Sequence, residues 1–370
     1  MTKGNIITEV RIREVRVTAR TLWRHVLVAT REGLVGIGEA TFDAAPADMN
    51  RRLSRAGEAL VGKTSDEETL AALASLTQGD MADATIFSAL DQALTDLRGQ
   101  QAEKPCFLLL RDEAKAFPVA LYANINRKTR SRRAEEFAAN ALEAEREGFQ
   151  AVKLAPFDAL TPELAETEQG QSLIAAGIER IAAVANAVSP RTALQVDCHW
   201  RFSPRAASRL IDELAELGVR WLECPLPETV ANIDDLARLR RQANAAGMRL
   251  AGLENLCGWE RFEPFVSGGC YDVVMPDIKH CGGYRSMLEI ARRAEQHGVA
   301  VSPHNPSGPI CHQASVHATT AIGGHERLEI QWRETPMFES ITTPGAAFDN
   351  AISRASESPG LGMTLMATES

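Results

Sequence analysis

Long apolar stretches are absent from this 370-residue chain. No run reaches the roughly 18 residues that a membrane-spanning helix needs, so no membrane segment is expected. Positive charge is in deficit too. The 40 Lys and Arg against 49 Asp and Glu leave a net charge of −9, the wrong sign for gripping nucleic acid or an anionic membrane surface. Met1-Thr2-Lys3-Gly4-Asn5 has none of the features of a secretory leader. The seven cysteines (106, 198, 224, 257, 270, 281 and 311) are odd in number and include no C-x-x-C pair. That argues against a disulfide framework or a zinc clip and fits reduced thiols in a cytoplasmic enzyme. Short internal repeats and low-complexity tracts are missing as well.

What remains is ordinary globular composition, 45% hydrophobic and 24% charged. The first ~40 residues alternate apolar and polar at Ile7, Val10, Ile12, Val15, Val17, Val26 and Val28. Gly33 to Ala40 closes what reads as an antiparallel meander. From about Pro46 to Gly99 the chain is rich in Ala, Leu and Glu and reads helical, with a helical period over Ala84–Leu94. From Pro118 the pattern changes to alternating strand and helix.

Within that alternating region, a polar residue closes one apolar run after another. Leu194-Gln195-Val196 ends in Asp197, Trp221-Leu222 in Glu223, Leu250-Ala251-Gly252-Leu253 in Glu254, and Val273-Val274-Met275-Pro276 in Asp277. Val299-Ala300-Val301-Ser302-Pro303 ends in His304, and Leu328 is followed by Glu329. The steps are 26, 31, 23, 27 and 25 residues. A strand, a helix and two loops need roughly 25 residues, and buried parallel strands read as continuous apolar runs. The helix after Asp197 shows its own punctuation: Ser203 as cap, Pro204 in the first turn, a stripe of Ala206, Leu210, Ile211, Leu214 and Leu217, then Gly218 as the stop. A second such helix is expected over Tyr284–Gln296, stopped by Gly298. This is the α/β pattern of a TIM-type barrel, whose strand ends converge on one catalytic mouth. One barrel needs about 250 residues, so a second domain of about 100 is left over.

The polar strand ends suggest chemistry. Asp197, Glu223 and Glu254 are hard oxygen ligands on three successive strands with no Cys or His cluster beside them, a set suited to magnesium. Strand alternation should turn Cys198 and Cys224 away from the mouth. His304 sits in a rigid loop, Pro303-His304-Asn305-Pro306, and Asp277 on the adjacent strand would fix its tautomer and raise its basicity. His199, two residues beyond Asp197, points to the same side, either as a loop residue or as a general acid. Glu329 is placed to hydrogen-bond a substrate oxygen, with Glu334 as a rival. Lys153 either binds a carboxylate or pairs with a neighbouring acid. Asn124 and Asn126, near the end of the first barrel strand, are placed to contact hydroxyl groups.

The motifs resemble those of the enolase superfamily, in particular its mandelate racemase subgroup and the galactonate dehydratase type within it. Asp197-Cys198-His199-Trp200-Arg201 resembles the subgroup's Asp-x-His-x-Arg element. Pro276-Asp277-Ile278-Lys279-His280-Cys281-Gly282-Gly283 resembles its Pro-Asp-x-x-His-x-Gly-Gly segment, and Pro303-His304-Asn305-Pro306-Ser307-Gly308-Pro309 its Pro-His-x-Pro-x-Gly-Pro segment. The resemblance spans essentially the whole chain. It implies a modified TIM barrel, (β/α)7β, over residues 116–345. An N-terminal α+β capping domain would span 1–115 and be completed by the tail 346–370. It also implies Mg2+ on Asp197, Glu223 and Glu254, His304 and Asp277 as a base dyad, His199 as general acid, and assembly into dimers up to octamers.

Three departures from the family pattern bear on the reaction. Ala155 stands where the racemases carry a second lysine, Cys224 where Glu-Glu-Pro has its second acid, and Leu253 where a glycine often precedes the third ligand. The lysine that muconate-lactonizing enzymes use is replaced by Asp277. The reaction this implies is removal of water from a small acid-sugar carboxylate through an enediolate, giving a 2-keto-3-deoxy acid. The alternative is a racemase or epimerase of a related carboxylate. The sugar itself is not written in the short Thr18–Arg24 stretch.

Overall fold

The computed structural model describes residues 6–42, 45–324 and 326–367. The Met1–Asn5 segment and the outermost ends of the two expected domain ranges lie outside the described residues. The chain opens with β1 (Ile7–Arg16), β2 (Leu22–Thr30) and β3 (Val35–Glu39), paired antiparallel in that order, which is the expected meander. The apolar positions of β1 change parity because the strand serves two cores. Val10 and Ile12 pack with Val26, Val28 and Leu90, whereas Val15 and Val17 join the larger core with Trp23 and Ile37. A bulge between Ile7 and Glu9 adds a further register shift.

The region read as continuously helical is divided. Helices Met49–Glu58, Glu67–Ala71 and Met81–Ala102 are separated by a turn at Gly62 and a short 3-10 segment, Ala74–Gln78. Asp66 and Asp80 cap the second and third helices through the N–H groups of Thr69 and Asp83. The long helix Met81–Ala102 lies directly on β3. A Cβ on Gly36 would sit 2.1 Å from the Ala93 carbonyl oxygen, and one on Gly38 2.0 Å from that of Ala89.

Eight parallel strands follow: β4 (Val119–Asn124), β5 (Ala151–Leu154), β6 (Ala193–Asp197), β7 (Trp221–Glu223), β8 (Arg249–Gly252), β9 (Val273–Val274), β10 (Ala300–Val301) and β11 (Leu328–Gln331). Consecutive strands pair from β4 to β10, and β11 pairs back onto β4. The ring closes between β10 and β11, where Glu326 N–H donates to the Val301 carbonyl (2.7 Å) and Glu329 N–H to that of Pro303 (3.3 Å). A helix of at least nine residues follows each strand from β4 to β10. Among the described residues, only the four-residue helix Met337–Ser340 follows β11, so the barrel is (β/α)7β. Helix Pro204–Glu216 is capped by Ser203, whose Oγ accepts Ala206 N–H at 3.1 Å, and Gly218 ends its turn at φ +73°. Among the described residues no helix is long and apolar enough to cross a membrane.

Buried acids dock the N-terminal layer and the tail onto the barrel. Glu39 at the end of β3 accepts N–H groups from Gly308 (2.7 Å) and Cys311 (3.0 Å), capping helix Pro309–Ile322. Ile352–Ser353 pairs antiparallel with β4, and Gly360 bridges to Pro105. Asp96, in the long helix, accepts Ile37 N–H (2.9 Å) and Leu361 N–H (2.8 Å), tying β3 and the tail together. Burial pushes its carboxyl up to about 6, against hydrogen bonds that pull the other way.

Replacing Asp96 with Ala strands two buried N–H groups and should cost roughly 2–4 kcal/mol in urea unfolding. Because the folded carboxyl is raised, its share of stability is complete below about pH 4 and is lost as pH climbs through about 6. Asp96→Asn turns an NH2 toward one of the two N–H groups and should be less stable than the wild type at low pH, with the gap narrowing by roughly 1–2 kcal/mol between pH 5 and pH 8.

Candidate active site

Strand alternation turns the functional side chains into the barrel. Across neighbouring strands Asp197 faces Glu223, Lys153 faces Gln195, and Gln331 faces Asn124. Cys198 points the other way, into the core between strands and helices. Asp197, Glu223, Glu254, Asp277, His304, Glu329, Lys153 and Asn124 are all buried within the ring of strand ends. Backbone strain gathers there as well. His199, Trp200, Cys224 and Leu253 adopt φ of +46°, +58°, +45° and +71°, two and three residues after Asp197, directly after Glu223 and directly before Glu254.

The strand ends form one connected network. His304 Nδ1–H donates to Asp277 Oδ2 at 2.8 Å, which turns Nε2 toward Glu254 (3.5 Å) and Glu329 (3.7 Å). Lys153 Nζ lies 2.6 Å from Glu223 Oε1 and 2.9 Å from Glu329 Oε1. Lys153 thus pairs with neighbouring acids on two other strands. Asn124 donates to Glu329 Oε1 (2.7 Å), and Asn126 braces Asn124 and the Ala155 backbone instead of facing the site. The side chain of His199 is two-fifths exposed, with Nε2 2.7 Å from Asp197 Oδ2. Glu334, the rival to Glu329, is engaged elsewhere by Thr21 and Arg127. That contact seats the Thr18–Arg24 stretch on the barrel.

Charge states follow from this packing. Burial drives the Glu254 carboxyl well up, with Asp197 and Glu223 adding to the rise, and it raises Glu223 in spite of Lys153. Burial also opposes ionisation of Asp277, yet Lys279, His280 and His304 together hold it far below the usual carboxylate range. In Glu329, Lys153 and His304 outweigh burial and lower the carboxyl. Burial works against the Lys153 ammonium, but Glu223 and Glu329 keep it charged. Asp197 raises His199 against the partial desolvation of its ring.

Three successive carboxylates, of which Asp197 raises Glu223 and both raise Glu254, suit a hard divalent cation. Glu254 Oε2 is buried with no hydrogen-bond donor, the kind of atom that a cation satisfies. As the side chains stand, both oxygens of Glu223 are held, by Lys153 and by Trp221 Nε1–H (2.8 Å). Asp197 is likewise closed by His199. Among the described residues no three His, Cys, Asp or Glu side chains are yet drawn tightly enough to hold an ion. The donor chemistry fits magnesium, and binding it requires His199 to swing away from Asp197.

Sequence reasoning missed several residues that position the site. His280 Nε2–H donates to the Glu254 carbonyl (2.6 Å), and burial keeps that ring neutral by lowering it to about 4. Lys279 Nζ lies 3.2 Å from Asp277 Oδ2. Asn305 holds Glu329 through its N–H (3.1 Å) and its amide (3.0 Å). His280 and Asn305 stood inside the motif segments already singled out, so proximity to Asp277 and His304 was the available signal.

The comparisons with known proteins bear on this site. Residues 136–369 match the family described as "Enolase C-terminal domain-like", and residues 7–110 match "Mandelate racemase / muconate lactonizing enzyme, N-terminal domain". A D-xylonate dehydratase of Haloferax volcanii is 27% identical, over 93% of this chain and 83% of that protein. A D-galactonate dehydratase of Variovorax paradoxus is 25% identical over 95% and 91%. A D-galactarolactone cycloisomerase of Agrobacterium fabrum is 30% identical, over 60% of this chain and 53% of its own length. The solved structure of an enolase superfamily member from Salmonella Typhimurium superposes with a TM-score of 0.84 at 21% identity, covering 98% of this chain and 96% of that one. That last likeness speaks to the fold alone.

Removing the Lys153 ammonium leaves Glu223 and Glu329 uncompensated in the barrel. Lys153→Met should destabilise by about 3–5 kcal/mol in denaturant unfolding, and adding Glu329→Gln should recover part of that loss.

Proposed function

The chain belongs to the mandelate racemase / muconate lactonizing enzyme family of the enolase superfamily, and from that premise we propose that it dehydrates a small acid-sugar carboxylate. The relatives named as xylonate, gluconate and galactonate dehydratases support this reading at 25–27% identity. The observation that carries it is the His304–Asp277 contact of 2.8 Å, which leaves Nε2 as an acceptor turned toward Glu254 and Glu329 among the strand ends. Asp277 fixes the tautomer and stabilises the imidazolium formed when His304 takes the proton α to the substrate carboxylate.

Asp197, Glu223 and Glu254 would hold Mg2+, which supplies positive charge beside the substrate carboxylate as the enediolate forms. Lys153 keeps a second positive charge at the floor of the site. Glu329, oriented by Asn124 and Asn305 and held ionised, accepts a hydrogen bond from a substrate hydroxyl, and Asn124 acts through Glu329. His199, on the Asp197 side, gives its proton to the departing 3-hydroxyl. The enol that results tautomerises to a 2-keto-3-deoxy acid.

An epimerase is the second reading, favoured by one observation. His199 Nε2 is bound to Asp197 at 2.7 Å and so is not presented to a leaving group. Ala155 in place of a second lysine weighs against it by removing one possible base on the other face.

A screen of mono- and diacid sugars should find magnesium-dependent keto-acid formation that chelator abolishes. His304→Asn should lower both dehydration and α-proton exchange in D2O by about 10²–10⁴-fold. His199→Asn should stop dehydration while deuterium still enters recovered substrate. Full turnover in His304→Asn would sink the assignment of the base, and deuterated substrate without keto acid in the wild type would favour epimerisation.

A further inference from the structure

We infer that Glu228 is a positioning residue that ties together the three chain segments carrying Asp197, Glu223 and Glu254. The inference rests on reading those acids as the ion-holding set, and it concerns a residue outside the motifs that carry the family likeness. Glu228 follows β7 and reaches back under the strand ends. Its Oε1 accepts Leu253 N–H at 2.6 Å and Tyr271 O–H at 3.0 Å, and lies 3.8 Å from Cys224 Sγ. The Asp197 segment joins through Trp200, whose backbone N–H donates to the Cys224 carbonyl at 2.6 Å. Trp200 is three residues past Asp197, Cys224 directly follows Glu223, and Leu253 directly precedes Glu254. One carboxyl thus touches the segments of Glu223 and Glu254 and holds that of Asp197 through Cys224.

The Leu253 contact matters most. Leu253 holds φ +71°, a left-handed backbone that glycine adopts freely and leucine resists. Its side chain is fully buried in the main core, so the residue is pinned from both ends. The short bond from Leu253 N–H to Glu228 compensates the strain and fixes the direction in which the chain enters Glu254. The fit is close on the other side as well. A Cβ on Gly252 would sit 2.5 Å from Glu228 Oε1 and 2.7 Å from the Tyr271 ring. With glycine at 253 the turn would hold itself; with leucine there, this chain needs Glu228.

The test is a double-mutant cycle on the full chain, read by Mg2+ calorimetry and Mn2+ electron paramagnetic resonance. Glu228→Ala should weaken ion binding by about 10–100-fold, whereas Glu228→Gln, which keeps an acceptor for Leu253 N–H, should lose far less. Adding Leu253→Gly to Glu228→Ala should restore most of the affinity even though the lost leucine lowers the melting temperature. A role confined to packing predicts the opposite, with affinity and stability falling together in the double variant. Wild-type affinity in Glu228→Ala, or no recovery on adding Leu253→Gly, overturns the inference. If the wild type takes up neither ion, the metal reading fails by itself. The anchor is then judged by amide exchange at Leu253, which must quicken in Glu228→Ala for the inference to stand.

Discussion

Excess negative charge, buried at the barrel mouth, is the constraint on which the rest of this structure depends. Asp197, Glu223, Glu254, Asp277 and Glu329 are nearly or wholly removed from solvent within one ring of strand ends. Opposing them are the ammonium groups of Lys153 and Lys279 and whatever protons the histidines carry. Burying an unpaired carboxylate is costly, and the cost is met here by geometry. Each acid is given a specific partner: Lys153 for Glu223 and Glu329, Lys279 and His304 for Asp277, His199 for Asp197. Glu254 is the exception, with one oxygen lacking any donor. That residual imbalance makes the pocket receptive to a cation and separates it from a merely polar barrel interior.

The same device, a buried acid, serves structure elsewhere. Glu39 and Asp96 accept backbone N–H groups at points where the N-terminal layer and the tail meet the barrel and the long helix. The difference lies in the partners. Backbone donors fix an acid in place as an anchor, although burial still raises its carboxyl, while the acids at the mouth are held by side-chain cations and press on other acids. The mouth is built from the second kind, and Glu228, bound to a backbone N–H and a phenol, is the first kind placed directly beneath it.

How much of this could be read in advance follows physical lines. The barrel was legible because each strand is a short apolar run closed by a polar residue at a nearly constant step. Helix Pro204–Glu216 was legible because its cap, stripe and stop are local signals. The facing of Asp197 inward and Cys198 outward followed from alternation alone. The break-up of the helical region at Gly62 was missed, because a single glycine and two Asp caps are weak against a long Ala- and Leu-rich stretch. The parity change in β1 was invisible as such, since it reflects two cores that only the tertiary arrangement creates. Lys153, Asn124 and Asn126 could be placed at strand ends, but their partners lie on other strands, so their engagement could not be seen in a linear chain. Leu253 was noted as a departure from a glycine position, though its strained backbone and its anchor required the folded turn.

The central claim is that Asp197, Glu223 and Glu254 share one divalent ion beneath the free nitrogen of His304. The most direct measurement is anomalous diffraction from crystals grown with Mn2+. The account predicts a single strong peak about 2.0–2.3 Å from one oxygen of each acid, on the side faced by His304 Nε2, with His199 turned off Asp197. A mouth without a peak at saturating Mn2+, or a peak bound elsewhere on the protein, would contradict it.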